Sequence, residues 1–132
     1  MTDQADELAG GIRDAYARIK ADVVRTPVEY SEPLSRETGA RVFVKWECDQ
    51  RTGSFKLRGA LNKLRALSPA DRARGVVSAS TGNHGLAISH ASRSEGVGLK
   101  LFLPETVAAV KRSRIEALGV DVEVRGASCD RA

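Results

Sequence analysis

Apolar residues recur along this chain at two different periods, and the switches between them mark its elements. Over residues 5–21, Leu8, Ile12, Ala15 and Ile19 stand three or four positions apart, which is the spacing of one helical face. Thr26-Pro27 ends that pattern, because the residue before a proline is pushed towards extended geometry. Residues 41–47 then alternate, with Val42, Val44 and Trp46 on one face of a predicted strand. Gln50-Arg51-Thr52-Gly53-Ser54 reads as a turn. It opens a helix over 55–67 whose buried stripe is Leu57, Ala60, Leu61 and Leu64. Ser68-Pro69-Ala70-Asp71 closes that helix and begins a short turn.

From there the alternation becomes regular. Residues 76–79 form a short apolar strand, 83–93 a helix and 99–103 a second strand. Residues 107–118 form a helix with an uneven apolar stripe, and Val120, Val122 and Val124 alternate along a third strand. Strands alternating with helices predict an α/β fold, a parallel sheet with right-handed crossover helices. Residues 126–132 resemble the opening of another helix, with Ser128 or Asp130 as its cap. A crossover helix with no strand after it leaves a sheet edge unpaired, so the fold is expected to be unfinished.

Composition narrows the class without defining a function. The 132 residues, 42% of them hydrophobic, suffice for one core but not two, and are too apolar for a disordered chain. No apolar run approaches a membrane span, and residues 1–7 lack the basic and apolar regions of a secretory signal. Cys48 and Cys129 stand far apart without CxxC spacing, which suits a reducing cytoplasm better than a disulfide framework. The net charge of +4 is scattered, and only Lys111-Arg112 with Arg114 approaches a cluster, with Glu116 following at once. That argues against a nucleic-acid partner.

Two segments stand out from this scaffold. Thr52-Gly53-Ser54-Phe55-Lys56-Leu57-Arg58-Gly59-Ala60 puts Lys56 in the first turn of a predicted helix. The positive end of the helix dipole disfavours a cation there and favours the neutral amine that a Schiff-base lysine requires. A solvated surface lysine is the plain alternative. Ser80-Thr81-Gly82-Asn83-His84-Gly85 lies directly after a strand and before a helix, where backbone N–H groups and hydroxyls can hold an anion. A simple helix cap by Ser80 or Thr81 is its plain alternative. His84 and His90 stand six apart, off one helical face, and no cysteine or carboxylate cluster joins them, so a metal site is not expected. Neither a P-loop nor a GxSxG elbow is present. Trp46 reads as core or interface packing.

Taken together, the two segments resemble the fold-type II pyridoxal-phosphate enzymes, and within them the threonine/serine dehydratase (ammonia-lyase) and serine racemase group. Ser54-Phe55-Lys56-Leu57-Arg58-Gly59-Ala60 is similar to that group's Schiff-base motif and Ser80-Thr81-Gly82-Asn83-His84-Gly85 to its asparagine loop. Arg25-Thr26-Pro27, Pro104-Glu105-Thr106 with Lys111, and Ala117-Leu118-Gly119 resemble its flanking segments. Related cysteine and threonine synthases carry an aspartate where Leu57 stands here.

The resemblance implies a tryptophan-synthase-β-like fold with pyridoxal 5′-phosphate as cofactor. It implies Lys56 as the Schiff-base lysine and the base at the substrate Cα, Phe55 beside the cofactor ring, and Asn83 on the cofactor's phenolic oxygen. Ser80, Thr81, Gly82 and His84 would bind the substrate carboxylate. The implied reaction is β-elimination on L-threonine or L-serine, giving a 2-oxo acid and ammonia, in a cytoplasmic enzyme. The implied partner is a small hydroxy amino acid, with a homo-oligomer for the complete enzyme and no membrane partner. Residues 1–70 would begin the large domain, and 71–132 an incomplete small domain.

Departures temper this reading. Thr81 stands where racemases present a serine, which tilts the choice towards a dehydratase. Arg51, Leu86 and Val107-Ala108 replace a common proline, a glutamine and an Ala-Pro pair. None of the 12 glycines forms the family's glycine-rich phosphate loop, so the chain reads as an N-terminal fragment, inactive or nearly so. A serine racemase, a related hydroxy-amino-acid dehydratase and a non-catalytic remnant or interaction module are the alternatives.

Overall fold

The computed structural model describes residues 2–80 and 82–127. The chain begins with helix α1 (Thr2–Ile19), which runs three residues ahead of the predicted start and ends two before the predicted end. Its apolar stripe is not buried as a whole: Ile19 is in the core, while Leu8 and Ile12 are 65% and 61% exposed. The reason is a one-ended anchorage, because α1 meets the rest of the chain near its C-terminus. There Arg18 Nε donates to Asn62 Oδ1 at 2.9 Å, and Arg65 reaches the Arg18 carbonyl.

After Pro27 the chain forms a two-stranded antiparallel unit, β1 (Val28–Tyr30) with β2 (Phe43–Lys45), joined through helix α2 (Glu32–Thr38). Of these, sequence periodicity predicted only the second strand, and drew it too long. Gly39, in the left-handed conformation, ends α2 with its N–H on the Ser35 carbonyl. Trp46 lies just past β2 and is 41% exposed, so it is not a core residue; its Nε1 donates to Glu29 Oε2 at 2.9 Å.

A single 3₁₀ turn (Glu47–Asp49) and a tight loop lead into α3 (Lys56–Arg65). Leu57, Ala60, Leu61 and Leu64 are all buried, as their spacing predicted. A further helix, α4 (Pro69–Arg74), follows where a turn was expected. Ser68 caps it by accepting the Asp71 N–H, and Pro69 occupies the first helical turn, where its missing donor costs nothing.

The regular alternation then appears as predicted. β3 (Val76–Ala79), α5 (Asn83–Glu95), β4 (Leu99–Leu103), α6 (Ala109–Glu116) and β5 (Asp121–Val124) form βαβαβ. The sheet is parallel in the order β3-β4-β5, with Val76 opposite Leu99 and Leu101 opposite Val122. The expected cap at Ser128 or Asp130 lies outside the described residues.

One continuous apolar cluster joins the two halves of the chain. Ile19, Val23 and the α3 stripe pack with Ala87, Ile88 and Ala91 of α5, and with Leu99, Leu101 and Leu103 of β4. Polar ties bind the same elements from outside. Arg65 holds Glu95 and Asp22 at 2.7 and 2.6 Å, and Arg72 donates to the Glu95 carbonyl. No described helix is long and apolar enough to cross a membrane.

Candidate active site

The loop before α3 is built to hold its first turn in place. Gln50 is buried, and its side-chain amide both accepts the Val24 N–H and donates to the Val24 carbonyl, each at 3.0 Å. Gly53, at a positive φ of 72°, closes the turn with its N–H on the Gln50 carbonyl. Thr52 and Ser54 on either side are buried, and their hydroxyls have no partner among the described residues. Lys56 is then the first residue of α3, with Phe55 before it.

Phe55 is 58% exposed, and its ring face stands 4.7 Å from Lys56 Nζ. Both side chains face a cavity of about 430 Å³, with apolar walls from Ala60, Leu64, Val76 and Ile88. His84, from the first turn of α5, lines the same cavity. So does Lys63, which reading by motif alone passes over. Its signal is periodicity, since position 63 is two helical turns beyond 56 and shares its face.

The asparagine loop divides between two places. Gly82 and Asn83 line a separate small cavity with Leu86, Lys111, Arg114 and Ile115, while the next residue, His84, turns into the Lys56 cavity. Successive helical side chains point about 100° apart, so neighbours at a helix start serve different surfaces. Ser80 lines neither cavity, and its hydroxyl accepts the Gly82 N–H at 3.3 Å. Thr81 lies outside the described residues. The α5 start carries no side-chain cap, which leaves its first-turn N–H groups available to an anion. Gly85 is required here: a Cβ at that position would stand 2.6 Å from the Ser80 carbonyl oxygen.

Beneath the N-terminal end of α3 lies an ion pair that orients it. Arg58 Nε and Nη2 donate to the two Glu47 carboxylate oxygens at 2.9 and 2.8 Å, a bidentate arrangement. Thr26 Oγ1 donates to the same carboxylate at 2.6 Å. The Arg58 hydrogen bonds, with help from Thr26 and the nearby Lys45 charge, hold the Glu47 carboxyl down at about 2 against partial burial. Glu47 in turn raises the Arg58 guanidinium above its already high value.

These residues fit pyridoxal phosphate on its aldehyde side. The cavity wall offers a primary amine beside an aromatic face, apolar flanks for a flat ring, and an imidazole. Gly59, one turn along from Lys56, leaves open the space that a Cβ would occupy. Among the described residues no three His, Cys, Asp or Glu side chains gather in a group that could hold a metal ion.

Comparison with known proteins agrees with this fit. Residues 19–132 match the profile of the family described as pyridoxal-phosphate dependent enzyme. The chain is 40% identical over 125 residues to bovine (Bos taurus) serine racemase, which covers 92% of this chain and 37% of the relative. It is 39% identical over 121 residues to the L-threonine ammonia-lyase of Thermotoga maritima, covering 92% of this chain and 30% of the relative. Among solved structures, the processed threonine deaminase isoform 2 of Solanum lycopersicum superposes with a TM-score of 0.82 at 35% identity. That match covers 96% of this chain and 35% of the deaminase. The chain thus spans about a third of the length of the relatives it matches. An amine-bearing cavity that fits the cofactor and a family match over most of the sequence lead to one conclusion: this chain belongs to the pyridoxal-phosphate-dependent enzymes, in the group that includes threonine dehydratases and serine racemases.

Proposed function

We propose that this chain carries the lysine-bearing part of an enzyme that eliminates water from L-threonine or L-serine, releasing a 2-oxo acid and ammonia. The observation that carries the reading is the convergence of Phe55, Lys56 and His84 on one cavity. Pyridoxal phosphate, when bound, supplies an electron sink for the charge that develops at the substrate Cα. The protein's part is to hold the reacting atoms and move the proton. Lys56 would hold the cofactor through its amine, and that same amine, once freed, would take the Cα proton. Phe55 would pack beside the ring, and Asn83, which in this structure lines the neighbouring cavity, would have to turn towards Lys56 to donate its amide N–H to the phenolic oxygen. Ser80, Thr81, Gly82 and His84 would bind the substrate carboxylate, aided by the uncapped N–H groups of α5; of the described ones, His84 lines the Lys56 cavity, and Ser80 and Gly82 would act from the adjoining loop.

In this reading residues 1–70 belong to a large domain and 71–132 to a small one, with the site between them. The 132-residue chain alone turns over little, because it has no glycine-rich run to hold the cofactor phosphate. The resemblance to both an ammonia-lyase and a serine racemase leaves racemisation as the second reading, supported by the 40% identity to the bovine enzyme.

Two measurements test the proposal. The chain, incubated with pyridoxal phosphate, reduced with borohydride and mapped by peptide mass, should carry its adduct at Lys56 ahead of its other lysines. Adducts spread evenly over the lysines would argue against the site. For the reaction, residues 1–132 would replace the matching segment of the Thermotoga maritima L-threonine ammonia-lyase. Such a chimera should form a 2-oxo acid from L-threonine and lose that activity with Lys56→Ala. Formation of D-serine from L-serine, with no 2-oxo acid, would favour the racemase reading instead.

A further inference from the structure

A second cavity, of about 540 Å³, lies on the other side of the α3 N-terminus and is lined by Tyr16, Arg25, Lys45 and Arg58. It shares no lining residue with the Lys56 cavity. Arg58 is two positions on from Lys56, about 200° around the helix, so the two side chains face apart. Three cations and a phenol line the cleft, and among the described residues the carboxylate that meets any of the cations is Glu47. Its oxygens are already engaged by Arg58 and Thr26. Lys45 reaches Glu47 only at 3.7 Å and spends one donor on the Thr26 carbonyl.

The donors that remain are numerous. Among the described residues, Tyr16 and Arg25 make no side-chain hydrogen bond or ion pair. Arg58 uses Nε and Nη2 but not Nη1. Gathering three cations around one neutralised carboxylate costs Coulomb energy that a bound anion would relieve. Planar guanidinium donors with a lysine and a hydroxyl match the oxygens of a phosphate group.

We propose that this cleft binds a phosphate-type oxyanion at a site distinct from the Lys56 cavity. Titration of the 132-residue chain with inorganic phosphate, followed by calorimetry at low salt, should give one site whose affinity falls as salt is raised. Arg25→Gln and Lys45→Gln should each weaken binding about tenfold, with an unchanged circular dichroism spectrum. Arg25 is exposed, so its replacement leaves the fold intact. Pyrophosphate separates the ligand sources: tighter binding than phosphate indicates a diphosphate ligand, and equal binding a single phosphate group. Absence of saturable binding at millimolar phosphate would overturn the proposal. So would binding unmoved by Arg25→Gln, or binding abolished by Lys56→Ala, which would place the anion in the other cavity.

Discussion

Arg58 grips both carboxylate oxygens of Glu47, at 2.9 and 2.8 Å, from a position two residues along the helix that Lys56 begins. The pair sits partly out of solvent, with side-chain exposures of 23% and 17%, so removing one partner strands a half-buried charge. Arg58→Ala should therefore destabilise the chain by about 2 kcal/mol. Urea denaturation of the two proteins would measure this, and a change within error of zero would show that the pair contributes no net stability.

The same pair gives the chain an acid limb. The Glu47 carboxyl titrates at about 2 in the folded chain against an ordinary value of 4.5. Between those values the unfolded chain binds more protons than the folded one, so stability must fall as the pH falls. The full contribution is present above about pH 4.5 and is lost as the pH drops through about 2. Denaturation midpoints measured across that range should decline, and Glu47→Gln should flatten the decline.

Gly85 tests the geometry of the asparagine loop. Alanine there would press a Cβ against the Ser80 carbonyl, 2.6 Å away, and backbone cannot yield as a side-chain tip can. Gly85→Ala should cost about 1–3 kcal/mol and displace the Ser80 backbone and the start of α5, which carries His84 into the Lys56 cavity. Thermal melts would report the first effect, and a reduced yield of the Lys56 adduct the second.

Phe55 separates site from scaffold. Its side chain is more exposed than buried, so Phe55→Ala should leave the melting temperature nearly unchanged. The aromatic face beside Lys56 would be lost, and borohydride trapping at Lys56 should decline. Unaltered trapping would mean that the ring plays no part in holding the cofactor.

Leu61, fully inside the α3 face, provides the contrast. It belongs to the cluster shared by α3, α5 and β4, so its truncation opens a cavity in the core that joins both halves. Leu61→Ala should cost about 2–5 kcal/mol, seen as a single shifted unfolding transition.

How much of this was legible varies with the kind of element. β3 and β4 match the residues predicted for them, and the α3 stripe is buried at each of its four positions. Helix α4 was also readable, since Ser68, Pro69 and Asp71 are its cap, its first-turn proline and its early acid. Apolar periodicity alone does not reveal this helix, because its six residues carry no apolar stripe. β1 and α2 were not readable this way. Three residues of strand carry too little alternation to register, and β1 exists because β2 pairs with it.

Apolar spacing was enough to predict the parallel α/β architecture and the lysine at a helix start, because periodicity and local turn chemistry act over a few residues; the family came from the resemblance of two short motifs. The arrangement of the candidate site could not come from that range. His84 joins Lys56 in one cavity while Asn83, its neighbour in sequence, faces Lys111 and Arg114, a division set by how α5 packs against α3 and α6. The exposed Leu8 and Ile12 and the cation-lined cleft behind Lys56 likewise follow from which surfaces meet. Burial and charge balance are properties of such contacts between segments distant along the chain.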